Sequence, residues 1–495
     1  MITERARTWR VAGIAVVLSM LIRLRMLWSP VTVDEGGYVA VARAWAHGAV
    51  LYRDVFLDRP QGLLVLFRFW DWVSGGSTGS IRVMAMLFGG LLVVSTSIIV
   101  RQLAGHSAAR YAAVICAVAS AAPVLEGYAA NAELLSGAVA AAGLAVGVLA
   151  PTKARVNVWF FASGVLAGLA LSLKQSGFDG LLTMGAWLGL VFVASRQSRR
   201  AAWRAMVATG AGVAMVMAGL ALHGALTGWS YWWTAVAGYR LRTQSAFAAA
   251  EWSNLRTTGR YAGVVLGAAA LFAVLGATRV VRRVRTDFAD LSAGPVLLVF
   301  WFVASAIGFL IGGGFWRHYW LLLVAPVAAL AGVGLAALPR PRYPVLAAVL
   351  APSLIITAWV YAGDSSHLLM RAASDRRAIQ DQRIAQWFDG HRTSGQSLYA
   401  LCASAGLYAD ARQDPGYPFL WFLEVHEGAD AQNRLVDYLD DPARAPTYIA
   451  EYQTPNSCDQ SGRVSAIMSR SYRQVAIVSG IAMLERSADT VTAKP

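Results

Sequence analysis

The sequence predicts a polytopic α-helical membrane protein with about eleven transmembrane helices and a small C-terminal α/β domain. Of its 495 residues, 57% are hydrophobic and 14% are charged, whereas a soluble protein keeps about a quarter of its residues charged. Apolar runs of membrane-spanning length recur as far as residue 361. Residues 363–495 are more polar and mix a helical stretch with short strand candidates, which predicts a separate domain there.

Each apolar run is close to the ~20 residues that a helix needs to cross a bilayer. The runs lie at about 11–29, 82–100, 109–125, 134–150, 157–173, 178–195, 204–222, 260–278, 293–312, 319–338 and 343–361. A basic segment precedes the first run, as in a signal peptide, but no convincing small-residue cleavage site follows it. We therefore expect an uncleaved first helix and a transmembrane module over residues 1–362.

Basic residues mark alternate connections between the predicted helices. Arg and Lys fill the N-terminus and the segments 101–110, 151–155, 196–204, 279–285 and 340–342. Because positively charged loops stay in the cytoplasm, this pattern predicts a multi-pass protein of the plasma or inner membrane with a cytoplasmic N-terminus. The net charge of +15 follows largely from this topology, so membrane lipids rather than nucleic acid are the expected partners.

The remaining connections are predicted to be extracytoplasmic, and the polar groups of the chain collect in them. They are 31–81, 126–133, about 174–177, 223–259, 313–318 and everything after 361, which includes the C-terminal domain. A purely structural protein has no reason for such an asymmetry. We therefore expect a functional site on this side of the membrane.

The first extracytoplasmic segment carries the densest set of candidate residues. VTVDEGGYVA contains the adjacent acids Asp34 and Glu35, and the overlapping YVAVARAWAHG has an apolar face that suits a helix lying in the interface. VLYRDVFLDRPQG then places Tyr52, Asp58 and Arg59 just before the next helix. The two acids alone could be no more than a solvated helix end, but the second polar turn favours a functional role.

Other segments on this side add candidates, each with a structural alternative. Glu133 in NAELLSG could be an acid favoured by a helix N-terminus, and Lys174 in LKQSG could be a lysine that reaches to the membrane surface. Arg317, His318 and Tyr319 in GGGFWRHYW could anchor a helix in the interface.

The segment GWSYWWTAVAGYRLRTQ places Arg240 among Trp and Tyr side chains. Aromatic faces suit sugar rings, so this segment could line a sugar or lipid groove. The alternative is a re-entrant segment in the interface, and the two interpretations are compatible with each other.

In this order and on one side of the membrane, the motifs resemble those of the GT-C glycosyltransferases over roughly residues 1–360. The likeness is to the branch of the bacterial aminoarabinose transferase and the protein O-mannosyltransferases, which use polyprenyl-phosphate sugars. The Asp-Glu pair and the Tyr-Arg-Asp turn at 52–54 match the family pattern, whereas Arg59 replaces the usual Lys and Gln61 the second Pro.

The use of Arg instead of Lys, with much Ala, Val and Gly, is typical of a GC-rich genome such as an actinobacterial one.

The resemblance implies an inverting glycosyltransferase that moves a sugar from a polyprenyl-phosphate donor to a lipid, a cell-wall glycan or a protein on the outer face of the membrane. It implies that Asp34 is the catalytic base and that Glu35 orients Asp34 or nearby backbone. The departing phosphate needs cationic contacts, and Lys174 is the preferred one. The full set of candidate substrate-binding residues is Tyr52, Asp58, Arg59, Glu133, Lys174, Arg240, Arg317, His318 and Tyr319.

Two other functions fit parts of the sequence. A transporter or flippase of lipid-linked sugars would place polar groups near the bilayer midplane, whereas Arg23, Arg25 and Arg68 lie near the ends of apolar segments. A glycan ligase or polymerase would use a pyrophosphate-linked glycan. The acids cluster in the external segments, which favours a transferase over a transporter, and the external Asp-Glu segment favours a monosaccharide donor over a pyrophosphate-linked glycan.

Cofactors and the cysteines are left open by the sequence. Some members of the resembled family use a divalent cation and others do not, and Asp34 and Glu133 are the carboxylates that could bind one. Cys402 and Cys458 share the C-terminal region. If that region is extracytoplasmic, a disulfide between them is plausible.

Overall fold

The computed structural model of the protein describes residues 3–286, 294–339, 342–363, 368–373 and 375–487. Within these ranges the side chains of residues 244–251, 284–286 and 429 are left undescribed. Residues 363–374, where the C-terminal region was predicted to begin, are therefore described in part.

Helices dominate the chain up to residue 361, and each predicted apolar run overlaps one of them. In chain order they are α1 (Glu4–Leu24), α2 (Val33–Ala46), α3 (Gln61–Val73), α4 (Ile81–Ala104), α5 (His106–Ser120), α6 (Ala132–Leu149), α7 (Val156–Leu173), α8 (Asp179–Ala194), α9 (Arg199–Thr227), α10 (Trp229–Trp233), α11 (Tyr239–Thr286), α12 (Val296–Gly312), α13 (Leu321–Ala336) and α14 (Arg342–Tyr361). Short helical turns lie at Thr78–Ser80, Pro123–Leu125, Ala150–Thr152, Thr234–Gly238 and Arg317–Trp320.

Seven helices of the described chain are long and apolar enough to cross a membrane. They are Thr78–Ala104, Ala132–Thr152, Val156–Leu173, Arg199–Thr227, Trp252–Arg283, Arg317–Ala336 and Arg342–Tyr361. Two further helices, α8 and α12, are apolar but shorter. The protein is thus a polytopic helical membrane protein by length and composition, and the number of eleven spans stays a prediction.

The helices divide into a central and a peripheral set. The apolar window of α13 is 78% buried inside the protein, whereas that of α9 is 17% buried, so α13 lies in the core and α9 lies at the periphery. Small residues let α11 and α13 approach closely. A Cβ added at Gly276 would lie 2.0 Å from the Leu330 carbonyl oxygen, and one at Gly334 would lie 2.1 Å from that of Phe272.

The C-terminal region forms a four-stranded mixed sheet flanked by short helices, in agreement with the predicted α/β pattern. Its helices are α15 (Leu368–Ala373), α16 (Arg377–His391), α17 (Gly406–Asp410), α18 (Phe422–His426), α19 (Ala429–Asp440), α20 (Pro455–Cys458) and α21 (Arg463–Ser471). Its strands are β1 (Leu398–Ala400), β2 (Tyr448–Glu451), β3 (Tyr472–Val478) and β4 (Ile481–Arg486). We refer to residues 375–487 as the tail.

The strands of the tail are ordered β1-β2-β4-β3. β1 pairs with β2 in parallel, with Leu398 opposite Tyr448, and β4 is antiparallel to both β2 and β3. Ser479 and Gly480, between β3 and β4, both have positive φ angles, as the tightest hairpin turns require.

Cys402 and Cys458 are joined by a disulfide with their Cα atoms 5.9 Å apart, which decides the pairing that the sequence left open.

The segment 31–81, which was predicted to be extracytoplasmic, has two helices that differ in burial. Residues 38–42 of α2 are almost completely buried, because α17 of the tail packs on this helix. α2 is therefore covered by α17, and its location in the membrane interface stays a prediction. In α3, by contrast, Val65, Phe69 and Trp72 are exposed, which fits an interfacial helix.

Candidate functional site

Five of the six segments that were predicted to share one side of the membrane contribute residues to one cavity of about 480 Å³. It is lined by Thr32, Val33, Asp34, Tyr38, Leu57, Asp58, Arg59, Glu126, Tyr239, Arg240, Asn254, Thr257, Thr258, Trp316, Arg317, His318, Tyr319, Ala373, Asp375, Trp421, Leu423 and Glu424. Seven of the eleven predicted site residues are among them. The other four, Glu35, Tyr52, Glu133 and Lys174, lie behind the cavity wall.

The adjacent acids Asp34 and Glu35 have different surroundings because of the way α2 begins. Thr32 is the N-cap of α2, and its hydroxyl accepts the N–H of Glu35 while the Glu35 carboxylate accepts the N–H of Thr32. This reciprocal capping box satisfies two backbone donors at the helix start. Asp34, one residue earlier in the first turn, lines the cavity.

Glu35 is completely buried, and its carboxylate is engaged away from the cavity. It accepts a hydrogen bond from the backbone N–H of Ala130 at 2.7 Å and forms an ion pair with Arg82, which is also buried. Arg82 in turn donates to the carbonyl of Pro30 at 2.7 Å. The predicted catalytic helper therefore orients the backbone around the site and does not line the cavity itself.

Asp34 has the features of a proton acceptor. Its Oδ1 atom accepts a hydrogen bond from the indole N–H of Trp421 at 3.1 Å. Burial raises the pKa of the Asp34 carboxyl above its usual value, while the positive charges of His318 and Arg59 act in the opposite direction. A carboxylate with a raised pKa in a cavity is suited to take a proton from a bound hydroxyl.

Two arginines in the lining share one aspartate. Asp58 lies between Arg59, whose Nη1 is 2.5 Å from Oδ1, and Arg240, whose Nε is 2.5 Å from Oδ2. The Nε atom of Arg59 is buried and has no hydrogen-bond partner among the described residues. Taken together, these three side chains carry a net positive charge, which suits an anionic group such as a phosphate.

A chain of charged side chains runs from the cavity wall into the interior. His318 Nδ1 lies 2.7 Å from a carboxylate oxygen of Glu126, and its Nε2 lies 3.8 Å from Glu133. Glu133 forms a buried ion pair with Lys174, whose Nζ is 3.9 Å from the centre of the Tyr319 ring. Lys174, the preferred phosphate contact from the sequence, is thus held beneath the cavity instead of lining it.

The backbone around the cavity adopts strained conformations at three non-glycine residues. Tyr52 has a φ of 73°, Glu126 of 55° and Phe315 of 43°, in the left-handed region that such residues rarely occupy. The hydroxyl of Tyr52 donates to the carbonyl of Arg59 at 2.9 Å. Tyr52 therefore supports Arg59 from behind. Strain of this kind persists where the surroundings enforce it and is concentrated at functional sites.

The aromatic segment before and within α11 contributes less to the cavity than predicted. Tyr239 and Arg240 line it, whereas Arg242, Arg256 and Arg260 are exposed elsewhere. The indole of Trp232 donates to the side-chain oxygen of Gln61 at 2.9 Å. Gln61, which replaces the usual proline, thereby links α3 to this segment.

The two carboxylates considered as cation ligands are not paired in the structure. Asp34 lines the cavity, whereas Glu133 lies beneath it in its ion pair with Lys174. Among the described residues there is no group of three or more His, Cys, Asp or Glu side chains that could hold a metal ion. The possible role of Asp34 and Glu133 as cation ligands therefore stays a prediction.

Several cavity residues were not identified from the sequence. Glu126 lies in the segment 126–133, which was predicted to be extracytoplasmic, and its place in that acid-containing segment was a usable signal. Trp421, Glu424 and Asp375 belong to the C-terminal region, which was not predicted to touch the site. Trp421 meets Asp34 across 387 positions of the chain, and no local pattern signals such a contact.

Comparisons with known proteins identify the fold. No protein-family model matches the chain, and no curated protein matches it. Among solved structures, ArnT from Cupriavidus metallidurans in the apo state has a TM-score of 0.62 at 15% identity, covering 99% of this chain and 100% of that one. The same protein bound to undecaprenyl phosphate has a TM-score of 0.61 at 14% identity, covering 98% of each chain.

The archaeal oligosaccharyltransferase AglB from Archaeoglobus fulgidus, in complex with an inhibitory peptide and a dolichol-phosphate, is also similar. Its TM-score is 0.62 at 12% identity, with 99% of this chain and 75% of that chain covered. The similarity to ArnT and AglB extends over nearly the whole of this chain, tail included. The chain therefore has a GT-C-like fold.

Proposed function

We propose that the protein is an inverting glycosyltransferase that moves a sugar from a polyprenyl-phosphate donor to an acceptor hydroxyl. One observation carries this proposal: two kinds of group line the same cavity. Asp34 is a carboxylate suited to accept a proton, and Arg59 and Arg240 are two arginines around a single aspartate. The first group can activate an acceptor and the second can receive a departing phosphate.

The proposed reaction is a single displacement. The acceptor oxygen bonds to the anomeric carbon of the sugar while its proton passes to Asp34. The bond between that carbon and the phosphate oxygen breaks, and its electron pair stays on the phosphate. Because the phosphodiester becomes a phosphomonoester, the leaving group gains negative charge, which Arg59 and Arg240 are placed to stabilise. Attack opposite the leaving group inverts the anomeric centre.

The comparisons support the class of donor. ArnT from Cupriavidus metallidurans is described with undecaprenyl phosphate and AglB with dolichol-phosphate, and both ligands are polyprenyl phosphates. The cavity volume of about 480 Å³ lies within the range of small-molecule sites. We propose that the acceptor is a lipid, a cell-wall glycan or a protein and that the cavity opens on the outer face of the membrane.

The disulfide of the tail supports this orientation, because disulfides persist in oxidising compartments outside the cytoplasm. The odd number of predicted crossings also carries the chain from a cytoplasmic N-terminus to an external tail.

The test is transfer of radiolabelled sugar from a panel of undecaprenyl-phosphate sugars to acceptors in a membrane extract. Wild type would be compared with Asp34→Asn, which is nearly isosteric but removes the charge. We expect wild-type transfer with one donor and a fall of about 10²–10⁴ in the variant. Asp389→Asn, an exposed tail position remote from the cavity lining, serves as the matched control.

Equal transfer by wild type and Asp34→Asn would remove Asp34 from the mechanism. If correctly folded wild type transferred no sugar from any donor but moved the donor lipid across a vesicle bilayer, the protein would be a flippase of lipid-linked sugars. Transfer only from a pyrophosphate-linked glycan would make it a ligase or polymerase.

A further inference from the structure

One wall of the cavity is supplied by the tail. We call residues 417–424 the wall segment. The backbone N–H of Phe56, in the first extracytoplasmic segment, donates to the carbonyl of Pro418 at 2.9 Å. The rings of Phe56 and Phe419 lie 5.1 Å apart. The wall segment is thus attached to the transmembrane module close to Asp58, which pairs with Arg59 and Arg240.

Trp421 of the wall segment reaches the start of α2. Its indole Nε1 lies 3.1 Å from Asp34 Oδ1, and its six-membered ring lies directly over Gly37. A Cβ added at Gly37 would lie 2.5 Å from Cζ2 of Trp421 and 2.7 Å from the Cβ of Ala405. No larger residue at position 37 would leave the indole where it is.

The tail backbone also approaches the preceding residue. A Cβ added at Gly36 would lie 2.6 Å from the Cα of Gly406, in α17. Two consecutive glycines, directly after the Asp-Glu pair, therefore allow the tail to pack against the first turns of α2. The contact with Asp34 is built into the docking of the two parts and is not a chance surface contact.

The wall segment holds Trp421 from its other side as well. Glu424 is buried, and its Oε2 accepts the backbone N–H groups of Leu420 at 3.2 Å and of Trp421 at 3.3 Å. The ring of Tyr38 lies 6.3 Å from that of Trp421. The indole is consequently fixed by its backbone and by its ring, so its N–H can hold the carboxylate in one orientation.

We propose that Trp421 is a positioning residue of the reaction, through which the tail holds the Asp34 carboxylate in one orientation. The inference rests on the proposed function, in which Asp34 is the base. Because the indole bonds Oδ1, the acceptor hydroxyl is received by Oδ2. The transmembrane module alone therefore lacks a complete base, and correct docking of the tail is a condition for catalysis.

The charged and titratable groups near Asp34 determine how its pKa would change if the Trp421 hydrogen bond were lost. His318 and Arg59 favour its ionised form, whereas Glu126 disfavours it and Tyr38 is a neutral neighbour. The indole N–H of Trp421 acts in the same direction as His318 and Arg59, because a hydrogen bond to the charged form of an acid lowers its pKa. Removal of the N–H is therefore expected to raise the pKa of Asp34.

Two variants disturb the contact by different routes. Trp421→Phe keeps an aromatic ring but removes the donor. Gly37→Ala keeps the donor but forces the indole away from α2. Trp387→Phe, elsewhere in the tail, and Gly185→Ala, where an added Cβ meets nothing within 4 Å, are the matched controls.

The experiment is an infrared titration of the full-length protein reconstituted in phosphatidylglycerol–phosphatidylethanolamine vesicles. The carboxylic-acid band that is lost in Asp34→Asn belongs to Asp34. We expect this band to persist to higher pH in Trp421→Phe and Gly37→Ala than in wild type, and to be unshifted in both controls. Where a donor of the panel is turned over, kcat/KM at neutral pH should fall about tenfold in the two variants, with the acid limb moved to higher pH.

The two proposals fail in distinguishable ways. If the Asp34 band titrates at the wild-type pH in both variants, the positioning role of Trp421 is wrong, whatever the transfer assay shows. If the band shifts as expected but Asp34→Asn transfers sugar like wild type, the contact is real and the assignment of Asp34 as the base is wrong.

Discussion

At the scale of single residues, neighbouring acids acquire different tasks because successive helical side chains point about 100° apart. Asp34 and Glu35 follow one another at the start of α2, yet Asp34 lines the cavity and Glu35 faces Arg82 and Ala130. One acid can therefore serve the reaction while the other holds the backbone. Glu126 and Glu133 are also placed differently, Glu126 on the cavity wall and Glu133 beneath it in its ion pair with Lys174.

The raised pKa of Asp34 gives a prediction for the pH dependence of transfer. Burial disfavours the charged carboxylate, so its pKa lies above the ordinary value. A base must be deprotonated, so kcat/KM should fall as the pH is lowered through this raised pKa. We expect the acid limb of the pH profile above the ordinary carboxyl range near 3.9. A limb within that range, with the protein folded throughout, would contradict the assignment.

The arginine cluster gives a second prediction at this scale. Arg240→Gln removes one of the two guanidinium groups around Asp58 and, by the proposed mechanism, weakens stabilisation of the departing phosphate. We expect kcat/KM for the donor to fall about 10²–10³-fold. Arg242→Gln provides the comparison, because Arg242 lies two residues further along α11 and is exposed outside the cavity lining. Equal effects of both variants would argue for a general change of surface charge.

At the scale of elements, the capping box of α2 ties three parts of the chain together. Glu35 caps α2, accepts the N–H of Ala130 before α6 and pairs with Arg82 in α4. Arg82 also lies over the ring of Tyr128, 4.8 Å from its centre. Residues from three elements are thus fixed relative to Asp34 and Glu126, which makes the shape of the cavity depend on one buried ion pair.

Loss of that ion pair should destabilise the protein. Glu35→Gln leaves Arg82 buried without its counter-charge, which typically costs about 3–5 kcal/mol. We expect a clear fall in the thermal unfolding midpoint of the purified protein in detergent. Glu4→Gln removes the partner of Arg110 at an exposed position and should change the midpoint little. An unchanged midpoint in Glu35→Gln would show that the ion pair contributes nothing to stability.

At the scale of the whole molecule, sequence and structure agree where the signal is local. Apolar runs predict helices directly, because the side chains of a membrane helix face either lipid or other helices and are apolar along the whole run. The T-x-x-E pattern at the start of α2 is a second local signal, since it predicts a capping box. The contacts that build the site are not local. Lys174 contacts Glu133 across 41 positions of the chain, and Trp421 contacts Asp34 across 387. The sequence around Lys174 suggested a phosphate contact, because it does not show that a buried acid lies beside this lysine in the fold.

The disulfide gives a prediction for the stability of the tail. It closes a loop of 56 residues between Cys402 and Cys458, and restricting the unfolded chain in this way is worth about 2–4 kcal/mol. Reductant should therefore lower the unfolding midpoint of the purified wild type. The double variant Cys402→Ala/Cys458→Ala should start at the lower midpoint and be insensitive to reductant, whereas Cys116→Ala should respond like wild type. A reductant effect that depended on Cys116 would be the contrary result.

The orientation of the whole molecule can be tested with an impermeant thiol reagent. The basic connections predict that Gln197, between α8 and α9, is cytoplasmic and that Ser394, in the tail, is external. In a Cys116→Ala background, Ser394→Cys should be labelled in intact spheroplasts, and Gln197→Cys only after permeabilisation. The disulfide keeps Cys402 and Cys458 unreactive. The reverse pattern would place the cavity on the cytoplasmic face, where a donor held in the outer leaflet cannot reach Asp34, and would overturn the proposed reaction.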